Sequence, residues 1–287
     1  MEFRDLDHLR ADAAALKGPV AVIACEDGFD VARTLRHHLD AGFANVVAVA
    51  APGVDLRAPG DPRLHALRLA HRPEAMGVAC ANAMIDALAP GTWLAWLHNG
   101  EYLFTPFSET RRVGEACAFA AEERRDAMLS TVVDLYPGAM PEDAHRFVAR
   151  PDDAWLDAAG YFALARDGEG GPKERQLDLF GGLRWRFEEH VPPARRRIDR
   201  VSLFRVRDGV RLRADGTLTD EEMNTYACPW HHSMTCAVAS YRAAKALATN
   251  PGSRAAIEKF AYAGSVRFRW TSRELMDRGF MEPGQWF

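Results

Sequence analysis

The amino-acid sequence predicts an α/β fold: a mostly parallel sheet with flanking helices, followed by a helical C-terminal extension. Three observations predict it. Short apolar runs alternate with amphipathic stretches over the first hundred residues, and glycine and proline punctuate their ends. The resulting order is strand, helix, strand, strand, helix, strand, which is what parallel crossover units produce.

Val20–Cys25 (VAVIAC) follows Gly18-Pro19 and reads as a buried strand. Residues 30–41 place Val31, Leu35, His38 and Leu39 at helical spacing, with Gly42 positioned to end the helix. Residues 46–50 (VVAVA) form a second strand closed by Ala51-Pro52-Gly53, and 64–69 a third. Residues 73–88 carry Met76, Cys80, Met84 and Leu88 at i, i+4 steps, so they predict a helix that Pro90-Gly91 breaks. Residues 93–97 (WLAWL) form a fourth strand, and 102–104 continue after a short turn. Beyond this the pattern loosens. Residues 115–133 fit helix or strand, 167–172 (DGEGGP) form a loop, and 235–262 read as a helix broken near Asn250-Pro251-Gly252. The closing Trp286-Phe287 is expected to pack. With no repeat and no linker composition, one domain over 1–287 is expected, with an α/β half at 18–135 and a second half at 136–287.

The net charge of −4, from 36 basic and 40 acidic residues, gives no push towards nucleic acid. The five cysteines, Cys25, Cys80, Cys117, Cys228 and Cys236, are odd in number and widely spaced. That argues against a disulfide framework and for a reducing cytoplasm. The charged N-terminal segment lacks the apolar core of a signal peptide. No apolar run approaches the roughly 18 residues of a membrane helix, which leaves only peripheral membrane contact open.

Parallel sheets bind ligands at the carboxyl ends of their strands. The informative loops are therefore 25–28, 50–55 and 98–101. Glu26 and Asp27 lie just past the first strand, where they would meet the ribose or base of a nucleotide; the plainer reading is a solvated loop with Asp27 as a helix cap. His98, Asn99 and Glu101 are polar groups at a turn that Asn99-Gly100 would form unaided. Residues 184–213 hold ten arginines, Arg184 and Arg200 among them. Guanidinium forks suit diphosphates, although Glu188, Glu189, Asp199 and Asp208 offer partners on a solvated face. Glu188-Glu189-His190 would supply a base for an acceptor hydroxyl or sit on the surface. In CPWHHSMTC, Cys228, His231, His232 and Cys236 are zinc-ligand types at a spacing that matches no standard zinc pattern. The alternative is a packed loop with His232-Ser233 as a helix cap. No P-loop, dinucleotide fingerprint or Gly-x-Ser-x-Gly elbow is present.

The order of these segments resembles a known family. CEDGFDVARTLRHHLDAGFANVVAVAAPG resembles the opening of family 2-like glycosyltransferases, with Glu26-Asp27 at the paired position, then His37-His38 and Gly42. GTWLAWLHNGEYLFTP resembles the family's Trp-bearing strand running into Asp-x-Asp-Glu-Phe-Leu. LSTVVDLYPG, IDRVSLFRV and the later WHH resemble members with a C-terminal extension, so the likeness spans about residues 18 to 245. It implies a GT-A, Rossmann-like fold of bacterial type, a nucleotide-sugar donor, a sugar acceptor and a divalent cation, Mn or Mg, bridging the donor diphosphate. Glu101 is then the implied catalytic or cation-holding carboxylate. His98 and Gly100 stand where the family has two metal-binding aspartates, and His231 or His232 would complete the cation site. Glu26, Asp27 and Asp55 would meet the nucleoside, and Arg184 and Arg200 the diphosphate. Ala50-Ala51-Pro52-Gly53 replaces the family's polar second loop. The sequence therefore implies a sugar transferase, or a degenerate relative that binds a sugar, nucleotide or partner without turnover.

Overall fold

The computed structural model describes residues 1–56, 60–141, 147–165, 177–224 and 233–286. Its N-terminal half runs β1 (Glu2–Phe3), α1 (Leu6–Asp12), β2 (Val20–Cys25), α2 (Val31–Asp40), β3 (Asn45–Ala50), β4 (Leu64–Arg68), α3 (Met76–Ala87), β5 (Trp93–His98) and β6 (Glu101–Phe104). There follow α4 (Val113–Glu122), β7 (Ala127–Asp134), β8 (Trp155–Asp157), β9 (Phe162–Ala165), β10 (Leu177–Phe180) and α5 (Gly182–Arg186). The last part holds β11 (Asp199–Arg205), β12 (Cys236–Ser240), α6 (Arg242–Thr249), α7 (Pro251–Ala256), β13 (Ser265–Arg267) and α8 (Ser272–Asp277).

Nine strands form one mixed, mostly parallel sheet in the order β1-β4-β3-β2-β5-β11-β7-β12-β6. Only β11 and β6 run against the rest. Every residue of β2 is buried, as expected of a central parallel strand covered on both faces. α2 turns Val31, Thr34, Leu35, His38 and Leu39 inward, the stripe that its helical spacing predicts. His37 and His38 are spent on structure: the first bonds the Leu103 carbonyl at 2.8 Å, the second the Thr34 carbonyl at 2.8 Å.

Two ambiguous or misread stretches resolve for a common reason. Residues 115–133 split into the end of α4 and most of β7, parted by a charged bend at which Arg124 takes a left-handed φ of 57°. Residues 235–262 are not one broken helix. They begin with β12, which lies parallel to β7 and antiparallel to β6, and only then enter α6 and α7. A five-residue apolar run such as CAVAS has no period that separates strand from helix; the sheet partners decide it. Residues 167–172, Cys228 and Phe287 lie outside the described residues, while Trp286 is buried and stacks on Phe119. Cys25, Cys80, Cys117 and Cys236 are free and buried. Among the described residues no helix is long and apolar enough to cross a membrane.

The strand order places the ligand edge. From β2 the chain moves outward through β3 to β4, then returns to lay β5 on the other side of β2. The connections after β2 and β5 therefore diverge, and open sheets form their crevice at such a switch point.

Candidate functional site

The carboxyl edge of the sheet collects the charged residues. β2, β5, β7 and β12 end there on Cys25, His98, Asp134 and Ser240, and the antiparallel β6 and β11 begin there with Glu101 and Asp199. Register sets a row across three strands, with Glu101 opposite Ser240 and Ser240 opposite Asp134.

Asn99 ties the two loops of the switch point together. Its Oδ1 accepts from the Glu26 backbone N–H at 3.0 Å, and its Nδ2 donates to Asp27 Oδ1 at 2.9 Å and to the Phe29 carbonyl at 2.7 Å. Asp27 Oδ1 also accepts from the Phe29 N–H at 2.9 Å, so Asp27 closes a turn in the loop and does not cap α2. Asn99-Gly100 makes a turn, but not a hairpin: β6 pairs with β12 and not with β5. Gly100 has φ +77°, and a Cβ there would meet the Phe29 ring at 2.5 Å, so only glycine fits.

Glu101 is 1% exposed and receives a two-pronged arginine. Arg200 Nη2 and Nη1 donate to its two oxygens at 2.7 and 3.1 Å, and the His98 backbone N–H donates at 2.9 Å. Ser240 Oγ donates at 3.4 Å. A bulge between Val201 and Leu203 interrupts the β11 register just beyond Arg200, the usual device for re-aiming a side chain. The guanidinium lies 4.4 Å from the centre of the Trp96 ring. Burial alone would raise the Glu101 carboxyl; the Arg200 and Arg242 charges outweigh it and hold the group well below the ordinary carboxylate range.

Glu26 and Asp27 are held by cations that reach in from elsewhere. Arg242 donates to Glu26 at 2.7 Å, Arg72 lies 3.1 Å from the other oxygen, and Lys245 bonds Asp27. Glu26 titrates below its usual value because Arg242, His98 and Arg72 together overcome the burial that would raise it. His98 sits between the two acidic groups, with Nδ1 3.8 Å from Glu26 and without a hydrogen-bond partner. Burial, then the nearby Arg242 charge, push its imidazole down to about 3, so it is neutral at neutral pH. The ring fits against Gly77 of α3, where a Cβ would come within 2.5 Å of Cε1. Gly77→Ala is expected to force that ring from its niche and to cost about 1–3 kcal/mol, the usual range for overpacking, measured by urea unfolding.

The structure thus brings Glu26, Asp27, His98, Glu101 and Arg200 together. Asp55 lies on the neighbouring loop, beside a cavity of about 360 Å³ that Pro52, Val54 and Arg68 also line at the ends of β3 and β4. That volume falls in the range of small-ligand sites. Arg184 is drawn elsewhere: its Nε lies 3.2 Å from the fully buried Asp134, whose carboxyl burial raises while Arg184 opposes. Glu188 pairs with Arg196 at 3.1 Å, and His190 lies 3.6 Å from Glu189; Glu189 is exposed, while Glu188 and His190 are half-buried. His231 and His232 lie outside the described residues. Sequence reading missed Arg72, Ser240, Arg242 and Lys245. The last three follow from β12: once CAVAS is a strand, the next residues stand at its carboxyl end.

The described residues do not fit a divalent cation. Both Glu101 oxygens are engaged by Arg200, both Glu26 oxygens face arginines, and Gly100 offers no side chain. Hard cations require several oxygen ligands with free lone pairs. Among the described residues no cluster of three histidine, cysteine, aspartate or glutamate side chains could hold a metal. Compared with models of known protein families and with curated proteins, this chain matches none.

Proposed function

We propose that the chain is a glycosyltransferase-like protein of GT-A type that takes a nucleotide-sugar at the carboxyl edge of its sheet and passes the sugar to an acceptor. One observation carries the reading: Glu26, Asp27, His98, Asn99 and Glu101, the residues of the family-like motifs, converge from two loops at the topological switch point. The nucleoside would lie over the loop after β2 and the cavity beside Asp55. A buried, ion-paired Glu101 orients the Arg200 fork, and Asn99 fixes the loop that meets the donor.

A second reading has its own support. Glu101 is closed off by Arg200 and 1% exposed, which suits a degenerate relative that binds a sugar, nucleotide or partner without turnover. A thermal-shift screen of UDP-, GDP-, CMP- and dTDP-sugars tests the common ground. A ligand at 100 times its Kd adds about 2.7 kcal/mol of stability, so a hit raises Tm by several degrees. Absence of any shift across the four classes removes the proposal. A hit followed by release of free nucleotide on addition of sugar acceptors separates transferase from binder.

A further inference from the structure

Among the described residues, Arg72, Arg200, Arg242 and Lys245 face three carboxylates, Glu26, Asp27 and Glu101, leaving one positive charge in excess. His98 adds no charge at neutral pH. The four cations are not equivalent. Arg200 is locked, with 11% of its side chain exposed against a Glu101 side chain at 1%. Arg72, Arg242 and Lys245 keep 55%, 34% and 26% of their side chains in solvent. Their partners Glu26 and Asp27 keep 14% and 48% of their side chains in solvent, so these pairs are better hydrated than Arg200–Glu101 and cost less to exchange. Arg242 and Lys245 stand three residues apart on α6, which puts them on one face of the helix. Both bridge to the loop after β2, so they span the crevice.

We infer that Arg242, Lys245 and Arg72 form a metal-independent clamp for a diphosphate, released from Glu26 and Asp27 when the anion enters. The inference rests on the proposed function for the identity of the anion, a nucleoside diphosphate group, but not for its binding. The physical reason is substitution of charge. A divalent cation would need the carboxylate oxygens that arginine and lysine already hold, whereas a diphosphate needs the cations and leaves the carboxylates to rearrange. Glu26 and Asp27 are then competitors of the ligand. They keep the cations in place while the crevice is empty, and binding exchanges one set of ion pairs for another. This predicts a sign that no metal-bridged site shares.

The test uses inorganic pyrophosphate, which has no nucleoside, titrated by calorimetry into the full chain in excess EDTA. Saturable binding that weakens with added salt is expected. Arg242→Gln and Lys245→Gln should each weaken it about 10-fold, the loss of one charge-assisted hydrogen bond. Glu26→Gln should tighten it several-fold, because Arg242 and Arg72 lose their competitor; thermal unfolding of each variant confirms that it is folded. Weaker binding by Glu26→Gln, unchanged affinity in Arg242→Gln, or binding that requires manganese overturns the clamp. Nucleotide-sugar shifts seen only with manganese also overturn it and leave the proposed function standing. Pyrophosphate binding in EDTA without any nucleotide-sugar shift supports the clamp and removes the proposed function.

Discussion

Arg200→Met is expected to cost about 3–5 kcal/mol of folding stability, because it strips the buried Glu101 carboxylate of its two-pronged partner and leaves only the Arg242 guanidinium, 3.9 Å away, as a counter-charge. Glu101 receives both prongs of the guanidinium and is 1% exposed, so water cannot replace the lost partner. Arg200 also covers the Trp96 ring and donates to Ser202 at 2.8 Å, and methionine retains only the first of these contacts. The companion variant Arg200→Met/Glu101→Gln removes both charges and should recover most of the loss. Urea unfolding of wild type, both single variants and the double variant gives the coupling directly. Acid separates this account from simple loss of packing. In the wild type the depressed Glu101 pKa stabilises the fold above the carboxylate range, and that stability fades as the pH falls. In Arg200→Met the buried carboxyl is more stable protonated, so the gap between the two proteins should narrow on acidification. A gap that stays constant between pH 7 and 4 would show that the charge of Glu101 is not what Arg200 serves.

Lowering the pH from about 7 to 5 is expected to cost roughly 4 kcal/mol, from two histidines alone. His38 and His98 are buried, and burial, with the neighbouring His37 for the first and Arg242 for the second, pushes each down to about 3. In the unfolded chain both take up protons below their ordinary value of 6.5, while in the folded chain they stay neutral until far more acid. The unfolded state therefore binds more protons across this window, and stability falls with falling pH. His37 is lowered by the same burial and acts in the same direction. Urea midpoints taken from pH 7 to pH 5 would reveal the slope, and His38→Gln should flatten it by about 1.4 kcal/mol per unit. A level profile over that range would mean that the imidazoles titrate freely and are not sealed in the core.

Much of the first half of this fold was legible in the chain. VAVIAC, VVAVA and WLAWL lack charge, are short and lie near glycine or proline breaks, so they read as buried strands, and the spacing of Val31, Leu35, His38 and Leu39 predicts α2 almost to its ends. The loops that carry Glu26, Asp27, His98 and Glu101 follow, because parallel strands present their carboxyl ends to ligands. Local pattern determines these features, since each depends on residues within about a turn or a strand of one another. Tertiary structure decided the rest. CAVAS became a strand because β7 and β6 accept it on either side, and that placement, not any local signal, delivered Arg242 and Lys245 to Glu26 and Asp27, more than two hundred residues away. The pairing of Arg200 with Glu101 and the neutrality of His98 likewise depend on which charges the folded sheet edge gathers. Residue type announces that a group can carry charge; only the burial and neighbours set by the fold determine whether it does, and which partner it is free to exchange.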